Sequence, residues 1–241
     1  MTNPQCNRNP RPAARIVTLG CKVNQADSDA LATELLRRGF RIAAAGERAA
    51  ACIVNTCAVT HVAEAKARKL IRQLARDNPG AAVVVTGCYA ERAGEEITSI
   101  PGVARVVPNA RKSEVGRIID EMLQPGDSYL FPSGCSAFSG RLHETGNSPR
   151  TPGPRPAHPG SVRAFVKVQD GCDHRCSYCI VPEVRGYPRS RPVEEVIAEM
   201  CALVQAGARE IVICGIRLGA YNEESHGRGL TRLLRAARGV P

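Results

Sequence analysis

The densest chemistry in the chain lies in Cys172-Asp-His-Arg-Cys176-Ser-Tyr-Cys179. Three thiols spaced four and three residues apart fit on one short loop, close enough to hold three irons of a cubane cluster. Four cysteines would saturate a four-iron cluster. Three leave one iron open to a ligand, and an open coordination position is what metal chemistry needs. Zinc is the plain alternative, with His174 as its fourth ligand. His174 sits inside the loop, two residues from either neighbouring Cys, which is cramped for a tetrahedral site.

A second set emerges when the remaining cysteines are placed against the apolar runs. Cys21 follows RIVTLG, Cys57 follows IVNT and Cys88 follows VVVTG, at separations of 36 and 31 residues. Each stands at the carboxyl end of a predicted parallel strand, the edge where open α/β sheets bind ligands. Three cysteines would converge there, again one short of a full set. The alternative is three separate buried Cys acting as small hydrophobes. Cys52 and Cys214 fall within strand runs and Cys201 on the apolar side of a helix, so these read as core. Cys6 lies in a polar N-terminal tail and Cys135 in a Pro/Gly-rich stretch, where neither has a role.

The elements that must position these residues are legible from periodicity. Strands are expected at 15–19, 51–56, 82–86 and 103–107, alternating with helices at 27–38, 62–76, 91–99 and 113–123. Strands that are continuous apolar runs, alternating with helices, predict a parallel sheet covered on both faces. Residues 125–160 hold seven Pro and six Gly without helical or strand period, the composition of a linker. The pattern resumes with strands at 162–168 and 210–214 and helices at 192–205 and 230–237. The expected organisation is a disordered tail over 1–14, an α/β domain over 15–124, the linker over 125–160, and a second α/β domain over 161–241. Two βα units cannot close a barrel or cover a sheet edge, so this last domain reads as cut short.

Composition sets the outer bounds. At 241 residues the chain can hold one large or two small domains. Its apolar content is that of a globular protein. No stretch approaches the length of a membrane span, and the N-terminus lacks the apolar core of a signal peptide. The expectation is a cytoplasmic protein with no membrane contact. Eleven cysteines, an odd number without an export signal, argue against a disulfide framework. The net charge of +10 suits a polyanionic partner such as RNA. The basic residues are 28 Arg and 5 Lys beside abundant Ala, a skew that a GC-rich genome also leaves. Lys66, Arg68, Lys69, Arg72 and Arg76 on one helix, with Arg185, Arg189 and Arg191, are the candidate phosphate contacts; a solvated surface is the alternative. Aromatics at 4% make a stacking surface for single strands a poor expectation.

With these residues in view, the chain resembles a known family. Cys172 to Cys179 is similar to the C-x-x-x-C-x-x-C signature of radical S-adenosylmethionine enzymes, with Tyr178 just before the last Cys. VQDGCDHRCSYCIVPEVRGYPRSRP, TLGCKVNQADSDAL, NTCAVT and TGCYAER resemble the methylthiotransferase branch, over residues 15–123 and 161–235. The resemblance implies an N-terminal methylthiotransferase domain followed by the first βα units of an incomplete radical S-adenosylmethionine barrel. It implies two 4Fe-4S clusters, one on Cys172, Cys176 and Cys179 and one on Cys21, Cys57 and Cys88. In the family's scheme the first binds S-adenosylmethionine through its open iron and, once reduced, splits it to a 5′-deoxyadenosyl radical. The second carries the sulfur to be inserted. Tyr178, Gly215 and Arg217 fall where the family contacts S-adenosylmethionine, and Arg217 departs from the usual Asn of Gly-Val-Asn-Leu-Gly.

The implied reaction is methylthiolation of C2 of a modified adenosine at position 37 of tRNA, next to the anticodon. A flavodoxin- or ferredoxin-like electron donor is the implied second partner. Gly20-Cys21-Lys22-Val23-Asn24-Gln25 resembles the type acting on N6-threonylcarbamoyladenosine rather than the GCQMN of the isopentenyladenosine type or the GCPKN of the ribosomal-protein type. Those two types, and an inactive iron–sulfur fragment, are the alternatives.

Overall fold

The computed structural model describes residues 11–44, 46–123, 162–221 and 229–241. The linker expected over 125–160, with Cys135, and most of the N-terminal tail, with Cys6, lie outside the described residues.

The first unit is built on five strands, β1 (Ala13–Thr18), β2 (Arg41–Ile42), β3 (Ala51–Thr56), β4 (Ala82–Gly87) and β5 (Val103–Val107). They pair in the order β2-β1-β3-β4-β5, every pair parallel. The connecting helices are α1 (Lys22–Arg37), α2 (His61–Asp77), α3 (Cys88–Arg92), α4 (Gly94–Thr98) and α5 (Val115–Leu123), the last preceded by a 3-10 turn over Asn109–Glu114. Alternate residues of the strands feed two core layers. Cys52, Val54, Val83 and Val85 pack with Ala67, Ile71 and Leu74 of α2 on one face. Ala51, Ile53 and Val84 pack with Leu31, Leu35 and Ile119 of α1 and α5 on the other. Burial on both faces is why these strands read as unbroken apolar runs.

The second unit has three strands, β6 (Arg163–Asp170), β7 (Arg189–Ser190) and β8 (Glu210–Gly215), in the order β7-β6-β8. β8 runs parallel to β6 and β7 antiparallel. Its helices are α6 (Val181–Arg185), α7 (Val193–Gln205) and α8 (Gly229–Ala237). Val166 and Val168 of β6 bury against Val196, Met200 and Leu203 of α7 and Leu233 of α8.

The two units share α1. Its Leu31 and Leu35 bury on the first sheet, while Val23 and Ala26, nearer its N-terminus, pack with Phe165, Cys214 and Ile216 of the second unit. The helix that begins immediately after Cys21 is therefore the wedge between the units. Among the described residues no helix is long and apolar enough to cross a membrane.

Several elements depart from the sequence expectation. β1 begins at Ala13, so Ala13 and Ala14 are buried strand residues and not part of a tail. The helix expected over 91–99 is two short helices broken at Ala93. β2, α6 and β7 were not foreseen, being two to five residues long and shorter than any periodic signal. Cys201 is half-buried and not core.

Candidate metal centre

Cys21, Cys57 and Cys88 immediately follow or lie just beyond β1, β3 and β4, three neighbouring parallel strands. The sheet order reverses between β1 and β3, and the crevice at such a reversal is the favoured ligand site of open α/β sheets. Glycines let the strand ends close in. Gly20 and Gly87 have φ of +108° and +101°, a region L side chains rarely adopt. A Cβ on Gly20 would lie 2.7 Å from the Cys57 Cβ and 3.0 Å from its Sγ; one on Gly87 would lie 2.3 Å from the Thr56 carbonyl oxygen. Only Gly fits immediately before Cys21 and before Cys88.

Hydrogen bonds then lock the three ends together. Asn24 Nδ2 donates to the carbonyls of Leu19 at 2.8 Å and Thr56 at 3.0 Å, the residues beside Cys21 and Cys57. Thr56 Oγ1 donates to Thr86 O at 2.6 Å and accepts from Ala90 N at 3.3 Å, bracketing Cys88. Asn109 Nδ2 donates to Cys88 Sγ at 3.6 Å and to Val184 O at 2.8 Å, reaching across to α6. Cys57 and Cys88 are buried and Cys21 is exposed. Burial pushes the Cys57 thiol up, with Cys88 and Cys21 adding to it; a backbone N–H at Val59 and the charge of Arg185 act the other way.

The second set hangs on the end of β6. Cys172 N donates to Gly186 O at 2.9 Å and Cys179 N to Cys176 O at 3.0 Å, folding the loop over 171–180. A Cβ on Gly171 would meet Tyr187 O at 2.0 Å, so the loop lies flat on the segment after α6. Cys176 is exposed and Cys172 and Cys179 are half-exposed. Tyr178 is 90% exposed. Gly215 ends β8 beside this loop. Buried Gln169 joins the two: its Nε2 donates to Gly171 O at 2.8 Å and its Oε1 accepts from Arg217 N at 2.7 Å. Arg217 Nη1 pairs with Asp173 Oδ1 at 2.8 Å, inside the cysteine loop.

Among the described residues, no three His, Cys, Asp or Glu side chains converge on one ion, as a prearranged tetrahedral zinc site would require. A cubane presents separate irons, so its thiolates need not meet at a point. Two all-thiol sets, each cradled where glycine leaves room, fit such a group. Cys52 and Cys214 belong to neither set: they lie inside β3 and β8, where burial pushes their thiols up to about 11 and about 12.

Between the two sets lies a buried charge network that sequence reasoning missed. Asp27 of α1 meets Lys112 at 2.9 Å, Lys167 of β6, and Arg185 of α6 at 3.4 Å. Asp170 meets Lys167 and Arg185, each at 2.9 Å. Burial alone would raise the Asp27 carboxyl, but the three cations together bring it down to about 2. Lys112 is lowered by its own burial and by Arg185 and Lys167, against the pull of Asp27. Three cations surround two carboxylates. Asn24 and Asp27, three and six residues after Cys21 in the same motif, were the available signal.

This network corrects the expected phosphate contacts. Arg185 is buried within it and Arg191 is half-buried, pairing with Glu199 at 2.5 Å. Arg68 pairs with Glu96 at 3.1 Å and donates to Tyr89 OH at 2.8 Å. Lys66, Lys69, Arg72 and Arg76 of α2 remain exposed, as does Arg189.

Comparison with known proteins matches residues 13–108 to the family described as uncharacterized protein family UPF0004, and residues 166–228 to the radical SAM superfamily. The threonylcarbamoyladenosine tRNA methylthiotransferase MtaB of Chlamydia pneumoniae is 37% identical over 94% of this chain and 48% of its own length. Its Bacillus subtilis counterpart is 35% identical over 90% of this chain and 46% of its own length. Over nearly its whole length the chain is therefore similar to tRNA methylthiotransferases, with a radical SAM superfamily match in its second unit. A further relative, the tRNA-2-methylthio-N(6)-dimethylallyladenosine synthase of Nitratidesulfovibrio vulgaris, is 37% identical over 90% of this chain and 47% of its own length. The chain spans about half the length of the curated relatives it matches. The fold is similar to that of the radical S-adenosylmethionine methyltransferase TsrM from Kitasatospora setae. The TM-score is 0.51 at 17% identity, covering 87% of this chain and 48% of that one.

Proposed function

We propose that this chain acts in tRNA methylthiolation, at C2 of N6-threonylcarbamoyladenosine at position 37. The observation that carries the reading is the placing of two three-cysteine sets on the two units, joined through α1 and α6. Cys21, Cys57 and Cys88 would hold one 4Fe-4S cluster, and Cys172, Cys176 and Cys179 the other. Residues 13–123 then form the methylthiotransferase unit and residues 162–241 the radical S-adenosylmethionine unit. When bound, the clusters and S-adenosylmethionine supply the radical and sulfur chemistry that an unactivated aromatic carbon requires.

The chain's own residues do the positioning. Gln169 ties the Cys172 loop to the end of β8, so that Gly215 and Arg217 border the loop that carries Tyr178; these three would be the S-adenosylmethionine contacts. Arg217 offers guanidinium donors to a carboxylate and cannot accept from an ammonium; Asp173, already paired with it, supplies the missing acceptor. The finer substrate rests on Lys22 and Val23 and on the names of the two relatives described first. The isopentenyladenosine and ribosomal-protein types have no observation here that favours them. The test is mass spectrometry of nucleosides from tRNA of a host lacking the modification, with and without this chain. The expected product is 2-methylthio-N6-threonylcarbamoyladenosine. Methylthiolation of the dimethylallyl nucleoside instead would overturn the substrate, and unmodified tRNA would overturn the activity.

A further inference from the structure

Arg185 occupies an unusual place for a charged residue. It lies six positions after Cys179, on the short helix that follows the second cysteine loop, and its side chain is buried in the seam between the units, against α1 and the end of β6. The side chain is 3% exposed. Nη2 donates to Asn24 Oδ1. Nη1 donates to Asp170 Oδ1 at 2.9 Å, and both nitrogens reach Asp27. Asn24 in turn holds the carbonyls beside Cys21 and Cys57. The residue before Arg185 accepts from Asn109, which donates to Cys88 Sγ. Arg185 is thus linked through Asn24 to the backbone two residues before Cys21 and one before Cys57, and its neighbour Val184 is linked through Asn109 to the Cys88 sulfur.

Charge points the same way. Arg185, Lys112 and Lys167 outnumber Asp27 and Asp170 by one. A buried, uncompensated cation is costly, and among the described residues no further carboxylate pairs with the network. Through Asn24 and through Asn109 this surplus charge is tied to the strand ends that carry Cys57 and Cys88.

We infer that Arg185 is a positioning residue for the Cys21, Cys57 and Cys88 set, and the buried positive charge that raises the reduction potential of the cluster held there. The inference rests on the proposed cluster assignment. A reduced cluster carries one more negative charge than an oxidised one, so a cation fixed in a low-dielectric seam favours reduction. Because Arg185 stands on the helix after Cys179, the docking of the second unit sets the redox poise of the first.

The test uses the full chain carrying Cys172→Ala, Cys176→Ala and Cys179→Ala, so that only the first set can bind a cluster. Iron and acid-labile sulfide are counted, and the midpoint potential is read by EPR during a dithionite titration with mediators. Arg185→Gln leaves two cations against two carboxylates, a neutral network compatible with folding. It is expected to keep iron and sulfide and to shift the reduction equilibrium at least tenfold toward the oxidised form, about 59 mV for one electron. Arg185→Lys, which keeps the charge, should restore most of the shift. An Arg185→Gln potential equal to the parent's, at equal iron content, would overturn the inference while leaving the cluster assignment intact. A parent without iron or sulfide would overturn both. If Arg185→Gln does not fold, Asp170→Asn decides: removing a carboxylate must move the potential the opposite way, and an unmoved potential refutes the charge role.

Discussion

Replacing Asp27 by Asn removes the carboxylate on which three cations converge, without changing the shape of the side chain. Asp27 is 4% exposed at its side chain, so solvent does little to screen the loss. The depression of its pKa from 3.8 to about 2 corresponds to roughly 2–3 kcal/mol of folded-state preference for the ionised form, at roughly 1.36 kcal/mol per pKa unit. Breaking a buried pair by removing one partner costs about 3–5 kcal/mol, because the partner charge is left unmatched. The expected loss at pH 7 is therefore about 3 kcal/mol. Since the folded-state pKa lies below the unfolded one, the stabilisation is complete above about pH 4 and is lost as pH falls toward 2. Urea unfolding of both proteins from pH 7 to pH 3 reads this directly. The gap between wild type and Asp27→Asn should be widest at neutral pH and close on acidification. A gap under about 0.5 kcal/mol at pH 7, or one that does not narrow with acid, would refute the assigned role of the network.

Two other outcomes follow from the same structure. Burial, with Glu199 adding to it, pushes the Asp29 carboxyl up to about 7, so ionising it costs stability between about pH 4 and pH 7; Asp29→Asn should be more stable than wild type above pH 7, with the difference gone below pH 4, and unfolding curves that keep a constant offset across that range would refute it. If the exposed stripe on α2 meets phosphates, Lys69→Glu with Arg72→Glu should weaken binding to all tRNAs alike and flatten the salt dependence by roughly 1.5–2 in the log–log slope, whereas unchanged filter-binding isotherms would return the stripe to ordinary surface.

The first unit was largely legible because its strands are buried on both faces and its cysteines stand at their ends. Ala51–Thr56 and Ala82–Gly87 read as strands from composition alone, and Cys57 and Cys88 came with them. What escaped was whatever depended on distant pairing. Arg185 and Asp27 are 158 residues apart, so no local period reveals that an Arg in a basic-looking segment turns inward to meet a carboxylate rather than outward to a phosphate. Gln169 was hidden for a related reason: in sequence it stands one position past the expected strand over 162–168, and only the parallel pairing of β6 with β8 brings it to Arg217. The breaks at Ala93 and around β7 were invisible because two- to five-residue elements carry no periodicity. Helix α1 gave a partial signal, its Leu31 and Leu35 stripe marking one buried face, while the contact of Val23 and Ala26 with a second sheet required both units to be folded.

The claim on which the rest depends is that the chain carries two separate clusters on two cysteine sets. Anaerobic reconstitution followed by iron and acid-labile sulfide analysis tests it directly. About eight irons per chain are expected, falling to about four when Cys172, Cys176 and Cys179 are replaced by Ala and to about four when Cys21, Cys57 and Cys88 are. Stoichiometric zinc without sulfide, or an iron content that does not respond to loss of Cys21, Cys57 and Cys88, would contradict it.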